Sequence, residues 1–296
     1  MPVSEQGTLS YEVSCVICFT DGENAAPTSA GASAYTHAGL SLGGVLQASD
    51  PDGDALYFEV SVYPTNGTIS LDAKTGAFTY TPREGFDGED AFCWRVQDEN
   101  GAYGDERECR VSVMPLATGY YFADMEGNGA HSAALYVSEQ GLLSGEVMGG
   151  KHYFHPERTL TRAAFVSILL RAAEIKCPEA ESTGFVDDAD IPHGMRGAIR
   201  YAKEKGWLGE DSVFRPNDAI TRAEAAEIAS RVFSLSAPSY SEIASDHQSI
   251  PASVVDALYA AFEGGYLPVA ADGALSYASA LTRAEAAVML TRIARG

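Results

Sequence analysis

The sequence predicts a two-part chain: an all-β sandwich over residues 26–115, then an all-α array of three helix-loop-helix units at 118–178, 182–236 and 239–296. Three observations predict it. Short runs alternating apolar and polar residues, broken by Asp, Gly, Asn and Pro, fill the first region. Beyond residue 116 the apolar spacing changes to i, i+3, i+4, i+7, the mark of a helix with one buried face. Thr-Arg-Ala recurs with its threonines at 161, 221 and 282, spacings of 60 and 61 residues, so the helical region is built of repeated units.

Composition sets the bounds. The 296 residues are 46% hydrophobic, enough for one large or several small cores. Of the net charge of -21, residues 1–115 carry -13 (18 acidic, 5 basic) and the remainder -8. A field of that sign repels nucleic acid and anionic membranes, so an anionic partner needs a local basic site. No apolar run approaches the ~20 residues that span a bilayer. Met1 opens no signal peptide, and the chain is expected to be cytosolic or a piece of a longer precursor. Five cysteines support neither a disulfide framework nor a zinc site. Cys15-x-x-Cys18 lies in a β-like run and reads as strand, while alternation puts Cys93 and Cys109 on opposite faces of neighbouring strands.

Residues 1–25 read as the end of a preceding β repeat and a linker. The runs "ALYFEVSVY", "GTISLD", "GAFTYTP", "DAFCWRV" and "ECRVSV" then read as strands of an antiparallel sandwich of about seven strands. The order of turns and aromatics in "ASDPDGDALYFEV" and "PTNGTISLDAKTGAFTYTPREGFDGEDAFCWRVQDENG" resembles the bacterial cadherin-like and Ig-like repeats of large surface proteins. Asp50, Asp52 and Asp54 place three carboxylates at alternate positions, which suits a hard cation such as calcium. The alternative is that Asp and Gly only make the turn. The cadherin-like resemblance implies Asp98 as a further calcium ligand.

In the helical region the second unit is the clearest. Met195, Ala198, Ile199 and Ala202 form one apolar stripe, "KGWLG" ends that helix, and a loop with Phe214 and Pro216 leads to a second helix starting at Thr221. The third unit repeats this with Val254, Ala257, Leu258 and Ala261, the first with Ala133, Ala134 and Val137. Each opens with an aromatic and an acid two residues on: Phe122/Asp124, Phe185/Asp187 and Tyr240/Glu242. Only the loop between helices varies, with 20, 15 and 17 residues from Gly141 to Thr161, Gly206 to Thr221 and Gly265 to Thr282.

Thr at N-cap with Glu three residues on makes a capping box, so Thr221 with Glu224 and Thr282 with Glu285 are expected to cap their helices; Thr161 lacks the glutamate. Capping does not explain Arg162, Arg222 and Arg283, which follow the threonines where a cation is opposed by the helix dipole. A guanidinium beside free N–H groups makes a local anion site. The alternative is a surface ion pair with a nearby acid. On the anion-site reading, Arg222→Ala changes folding only slightly.

The "F-x-D" openings, the Gly-aromatic-Leu helix ends, the "F-x-P" turn and "TRAE" together resemble the S-layer homology domains of Gram-positive surface proteins, over about 118 to 296. The resemblance implies three repeats closed into a pseudo-threefold trimer around a central helix bundle, and an extracellular chain associated with the cell wall or S-layer. It also implies grooves between repeats that bind secondary cell wall polymer, through a pyruvate-ketal sugar whose carboxylate meets the motif arginine. Carried over, Arg162, Arg222 and Arg283 become carboxylate ligands, and Gly206 and Trp207 the sugar-facing groove wall, with a plain core role as the alternative for Trp207 and Tyr266. The first unit departs at Ala164 and the third replaces "F-x-P" with "LSYASALTR", so the second unit is expected to hold the best-formed site.

The leading reading is a non-catalytic anchor, monomeric in solution, that displays the β domain as a spacer. Alternatives are an adhesin whose β domain binds a protein or host ligand, and the anchor fragment of a larger wall-attached glycoside hydrolase. No Ser-His-Asp, HExxH or P-loop pattern occurs, and the six histidines are scattered without ligand spacing.

Overall fold

In a computed structural model, the structure describes residues 24–235, 238, 244–268 and 273–295. Cys15, Cys18, most of the 1–25 segment, Tyr240 and Glu242 lie outside the described residues.

The first region holds nine strands: β1 (Thr28–Ser29), β2 (Ala32–His37), β3 (Leu42–Val45), β4 (Ala48–Ser49), β5 (Leu56–Val62), β6 (Gly67–Leu71), β7 (Ala77–Pro82), β8 (Gly88–Asp98) and β9 (Arg107–Met114). One sheet has the order β2-β9-β8-β5 and a second β3-β7-β6, with β1 and β4 paired alone. The period of two places alternate side chains of β8 inward: Asp90, Phe92, Trp94, Val96 and Asp98 are all buried. They meet Phe58, Phe78, Tyr80, Cys109, Val111 and Val113 in one core. Buried Asp90 accepts hydrogen bonds from the Tyr80 hydroxyl and from the Thr65 and Asn66 amides, so a polar core residue is fully used to pin a turn. Phe92 pairs with Cys109 and Cys93 with Glu108, so the two cysteines face opposite ways, and both are free thiols.

One pairing departs from the expected all-antiparallel sandwich. β2 runs parallel to β9. Parallel neighbours need a long connection between them, and here the whole of the remaining domain supplies it. Alternation identifies a strand but carries no information on its direction.

The second region contains α1 (His131–Glu139), a hairpin of β10 (Glu146–Met148) and β11 (Lys151–Tyr153), α2 (Arg162–Ala172), α3 (His193–Glu204), α4 (Arg222–Phe233), α5 (Val255–Glu263) and α6 (Arg283–Arg295). The hairpin occupies the longest of the three inter-helix loops. Helix contacts follow a cyclic order: α3 packs on α2, α5 on α4, and α1 on α6. Just before the second helices, three backbone bonds follow the same order. Ile220 N–H donates to Leu160 O at 3.0 Å, Leu281 N–H to Ile220 O at 2.8 Å, and Leu160 N–H to Leu281 O at 3.3 Å. All three leucine and isoleucine side chains are buried, so a single core runs through the three units.

The two regions touch through β2. His37 is fully buried, with Nδ1 2.8 Å from Ser132 Oγ on α1 and Nε2 3.5 Å from Glu139 Oε2. The Tyr121 hydroxyl donates to Ala38 O, and the Arg295 guanidinium lies over the Tyr35 ring, 4.5 Å from its centroid.

Candidate functional site: the junctions between helical units

Each second helix begins at the motif threonine. Thr221 Oγ1 accepts the Glu224 amide at 3.2 Å while Glu224 Oε2 accepts the Thr221 amide at 2.9 Å, and Thr282 and Glu285 repeat this at 3.2 and 2.9 Å. At Thr161 only one half exists, the Ala164 amide donating to Oγ1 at 3.3 Å. A boxed glutamate has one carboxylate oxygen left over, and that oxygen faces the neighbouring unit.

There it meets the motif arginine. Arg162 Nη1 is 2.8 Å from Glu224 Oε1, and its Nε donates to Phe214 O at 2.9 Å. Arg222 repeats the pattern one unit on: Nη1 to Glu285 Oε1, Nε to Leu275 O at 2.8 Å, and Nη2 to Pro268 O. Arg283 returns to the first unit, with Nε to Phe154 O at 2.8 Å and Nη2 to Ser144 O at 2.9 Å. At Arg162 and Arg222, which are 7% and 4% exposed, the anion at the helix start is a carboxylate of the next unit. The next unit offers carbonyls and a carboxylate in the geometry of the fork, and together these offset the cost of burying the charge. Arg283 is half-buried, and no carboxylate among the described residues lies within ion-pair distance of it.

The carbonyls that receive Nε are aimed by the acids of the unit openings. Asp124 accepts the Phe154 and His155 amides (2.8 and 2.7 Å), and Asp187 those of Phe214 and Arg215 (2.8 and 2.6 Å). In the third unit Asp246 does the same for Leu275 and Ser276, both at 2.9 Å. The structural counterpart in that unit is therefore Ala244/Asp246. His155, Arg215 and Ser276 have φ of 59°, 59° and 49°. A left-handed non-glycine residue costs about 1–2 kcal/mol, which the paired amide bonds to the aspartate help to offset. Burial works against ionisation of Asp187, but the Phe214 and Arg215 amides outweigh it and hold the carboxyl below its ordinary value.

A second arginine recurs nine positions after the first and was not singled out in the sequence. Arg171, Arg231 and Arg292 donate to the carbonyls of Gly141, Trp207 and Gly264, just past the ends of the first helices. These carbonyls have no intrahelical partner, and a cation there also suits the helix dipole. The recurrence at 171, 231 and 292 was the available signal.

Gly206 is exposed with φ 73° and ends α3; Trp207 is half-buried against the helical core, its ring 5.8 Å from Tyr201. The equivalent turns contribute Ser144 O to Arg283 and Pro268 O to Arg222. By the same register, Gly206 and Trp207 border the junction of Arg162, not that of Arg222.

In the β region, Asp50, Asp52 and Asp54 each bring a carboxylate oxygen within 4.8 Å of the others. Asp50 Oδ1 accepts the amides of Asp52 and Asp54, while its Oδ2 is buried without a hydrogen-bond partner. Asp98 is outside that group. Its oxygens accept from Asn24 Nδ2 and from the Asn100 and Ala102 amides, and Asn100 Nδ2 links it to Asp54. Burial opposes ionisation of Asp98, yet these donors prevail and hold it below its ordinary value.

Two family models match. Residues 24–115 match the bacterial cadherin-like domain and residues 189–226 the S-layer homology domain. The chain is 31% identical over 176 residues to Endo-1,4-beta-xylanase A of Thermoanaerobacterium saccharolyticum, covering 55% of this chain and 14% of that protein. It is 30% identical over 115 residues to Exoglucanase XynX of Acetivibrio thermocellus, covering 38% of this chain and 10% of that protein. The chain therefore spans about a seventh or less of these relatives. Among solved structures, an endo-fucoidan hydrolase of glycoside hydrolase family 107 aligns with a TM-score of 0.28 and 17% identity, over 33% of this chain and 14% of its own. Both matched families are non-catalytic domains, and the S-layer homology match assigns the chain to the cell wall or S-layer. No described helix is long and apolar enough to cross a membrane.

Proposed function

We propose that this chain is a non-catalytic anchoring module that binds a secondary cell wall polymer in grooves between its helical units and carries the β-sandwich as a spacer. The match of residues 189–226 to the S-layer homology domain carries this reading. The three units close as a pseudo-threefold trimer within one monomeric chain. The cyclic helix contacts and the three-way hydrogen bonds of Leu160, Ile220 and Leu281 support that closure. A pyruvylated sugar suits the junctions, because its carboxylate can take a guanidinium edge as Glu224 and Glu285 do.

Calcium is proposed at Asp50, Asp52 and Asp54. The partnerless buried Oδ2 of Asp50 fits a ligand atom, and the adjacent carboxylates supply the hard oxygens that calcium requires. Bound there, it would neutralise the clustered charge and tie β4 to the turn that follows it.

A second reading is favoured by the names of the relatives, a xylanase and an exoglucanase matched over 14% and 10% of their lengths. On it the chain is the anchor of a longer wall-attached enzyme, with catalysis outside these residues. Co-sedimentation with wall sacculi tests the anchor. The chain should pellet with intact sacculi and stay in solution after acid strips the non-peptidoglycan polymer; equal pelleting after stripping contradicts it.

A further inference from the structure

The three junctions are built alike but charged differently. At two of them a carboxylate of the chain lies on the motif guanidinium: Glu224 on Arg162, sharing its Oε1 with Arg215, and Glu285 on Arg222. The third junction joins α6 to the first unit, where the glutamate position is Ala164. Arg283 there commits Nε and Nη2 to carbonyls, as Arg222 does, while Nη1 has no partner among the described residues. The backbone of Arg283 donates to Arg158 O, at the position where the other two junctions use Asp218 O and Ser279 O. The first unit thus carries Ala164 where the other two carry glutamate, and Arg158 where they carry Asp218 and Ser279. Glu146 and Asp124 are the acids whose charge reaches Arg283. Glu146 is engaged by Arg158 at 2.7 Å and His155 at 3.0 Å, and Asp124 by the two amides it aims. Burial first, and then the charge of Arg158, push the Arg283 guanidinium below its ordinary value against the opposing charges of Glu146 and Asp124.

We propose that the junction of α6 with the first unit is the groove that receives a ligand carboxylate, which lies on Arg283 Nη1 where Glu224 and Glu285 lie on Arg162 and Arg222, with Arg158 as its second cation. The other two junctions are closed by their own glutamates and hold the units together. This rests on the polymer-binding reading and adds which groove binds and why. The absence of glutamate at 164 opens the site, because a carboxylate supplied by the chain would compete with the ligand at high effective concentration.

Titration calorimetry of the full chain with a glycoside carrying a pyruvate ketal, and with its methyl ester, tests this. The parent should bind about one glycoside per chain, and the neutral ester at least tenfold more weakly. Ala164→Glu should fold with a raised Tm and bind at least tenfold more weakly, since it restores the internal ion pair. Arg283→Lys, which keeps the charge but not the fork, should also lose binding at least tenfold while staying folded. Three equal sites, or unchanged affinity in Ala164→Glu or Arg283→Lys, overturns the assignment and leaves polymer anchoring standing. A parent that pellets with sacculi but ignores the glycoside overturns the carboxylate as ligand. A parent that binds neither removes the anchoring reading, and the groove with it.

Discussion

Arg162 and Glu224 are 62 positions apart in the chain, yet their side chains meet at 2.8 Å, the guanidinium from the first unit and the carboxylate from the second. One glutamate therefore caps its own helix through Oε2 and clasps its neighbour through Oε1. Glu224 Oε1 also holds Arg215 at 2.8 Å, so the partner left uncompensated by a deletion is the buried Arg162 guanidinium, and Glu224→Ala should cost about 3 kcal/mol. Arg162→Ala, and equally Arg222→Ala, should lower Tm by several degrees, and the Arg162→Ala/Glu224→Ala double variant should lose less than the sum of the singles. Additive losses in a thermal-denaturation cycle would show that the pair does not couple the units.

Acid should loosen the same clasp. Burial opposes ionisation of Glu224, but the Thr221 amide, Arg162 and Arg215 overcome it and hold the carboxyl below its ordinary value. A carboxyl depressed on folding contributes stability above its unfolded pKa, and that contribution is lost as pH falls through the folded value. The Tm advantage of the parent over Glu224→Gln should be constant from neutral pH to about 5 and shrink below the ordinary glutamate range near ~4.3. Glu224→Gln should start lower and show a shallower fall; parallel curves for the two proteins would refute the linkage.

The contact between the two regions should weaken at a higher pH. Burial is the main force keeping His37 below its ordinary value, helped by Arg295 and opposed by Glu139. A histidine depressed on folding favours the folded contact above its unfolded pKa near ~6.5, and protonation erodes the contact as pH falls. Hydrogen exchange should report faster opening of β2 and α1 at pH 5.5 than at pH 7.5, after correction for intrinsic rates. His37→Gln should abolish the difference; its persistence would place the titrating group elsewhere.

Millimolar calcium should raise the melting temperature of the β region relative to chelator, since a ligand held only by the folded state stabilises it by mass action. Asp50→Asn should remove most of that shift. Coincident melts of the parent in calcium and in chelator would dispose of the site.

The sequence made the repeats legible because capping and apolar periodicity are local, decided within one helix turn. The alternation of β8, with Phe92, Trp94 and Val96 inward, was legible for the same reason. The role of Arg222 was not, since its partners Leu275 and Glu285 lie 53 and 63 residues away. A period tells that a residue recurs, not what it faces. Asp246 was missed because its unit opens with Ala244 in place of an aromatic. Ala164 is visible in the sequence as a departure from the motif, but that it faces Arg283, which has no carboxylate within ion-pair distance among the described residues, shows only once α6 meets the first unit.

Binding of acid-released, purified wall polymer to the full chain tests the central claim most directly, measured with the ketal pyruvate intact and after mild hydrolysis has removed it. The account predicts saturable binding to the intact polymer and at least a tenfold loss after hydrolysis, about 1.4 kcal/mol or more. Equal affinity for the two polymers would contradict recognition of a carboxylate at the junctions.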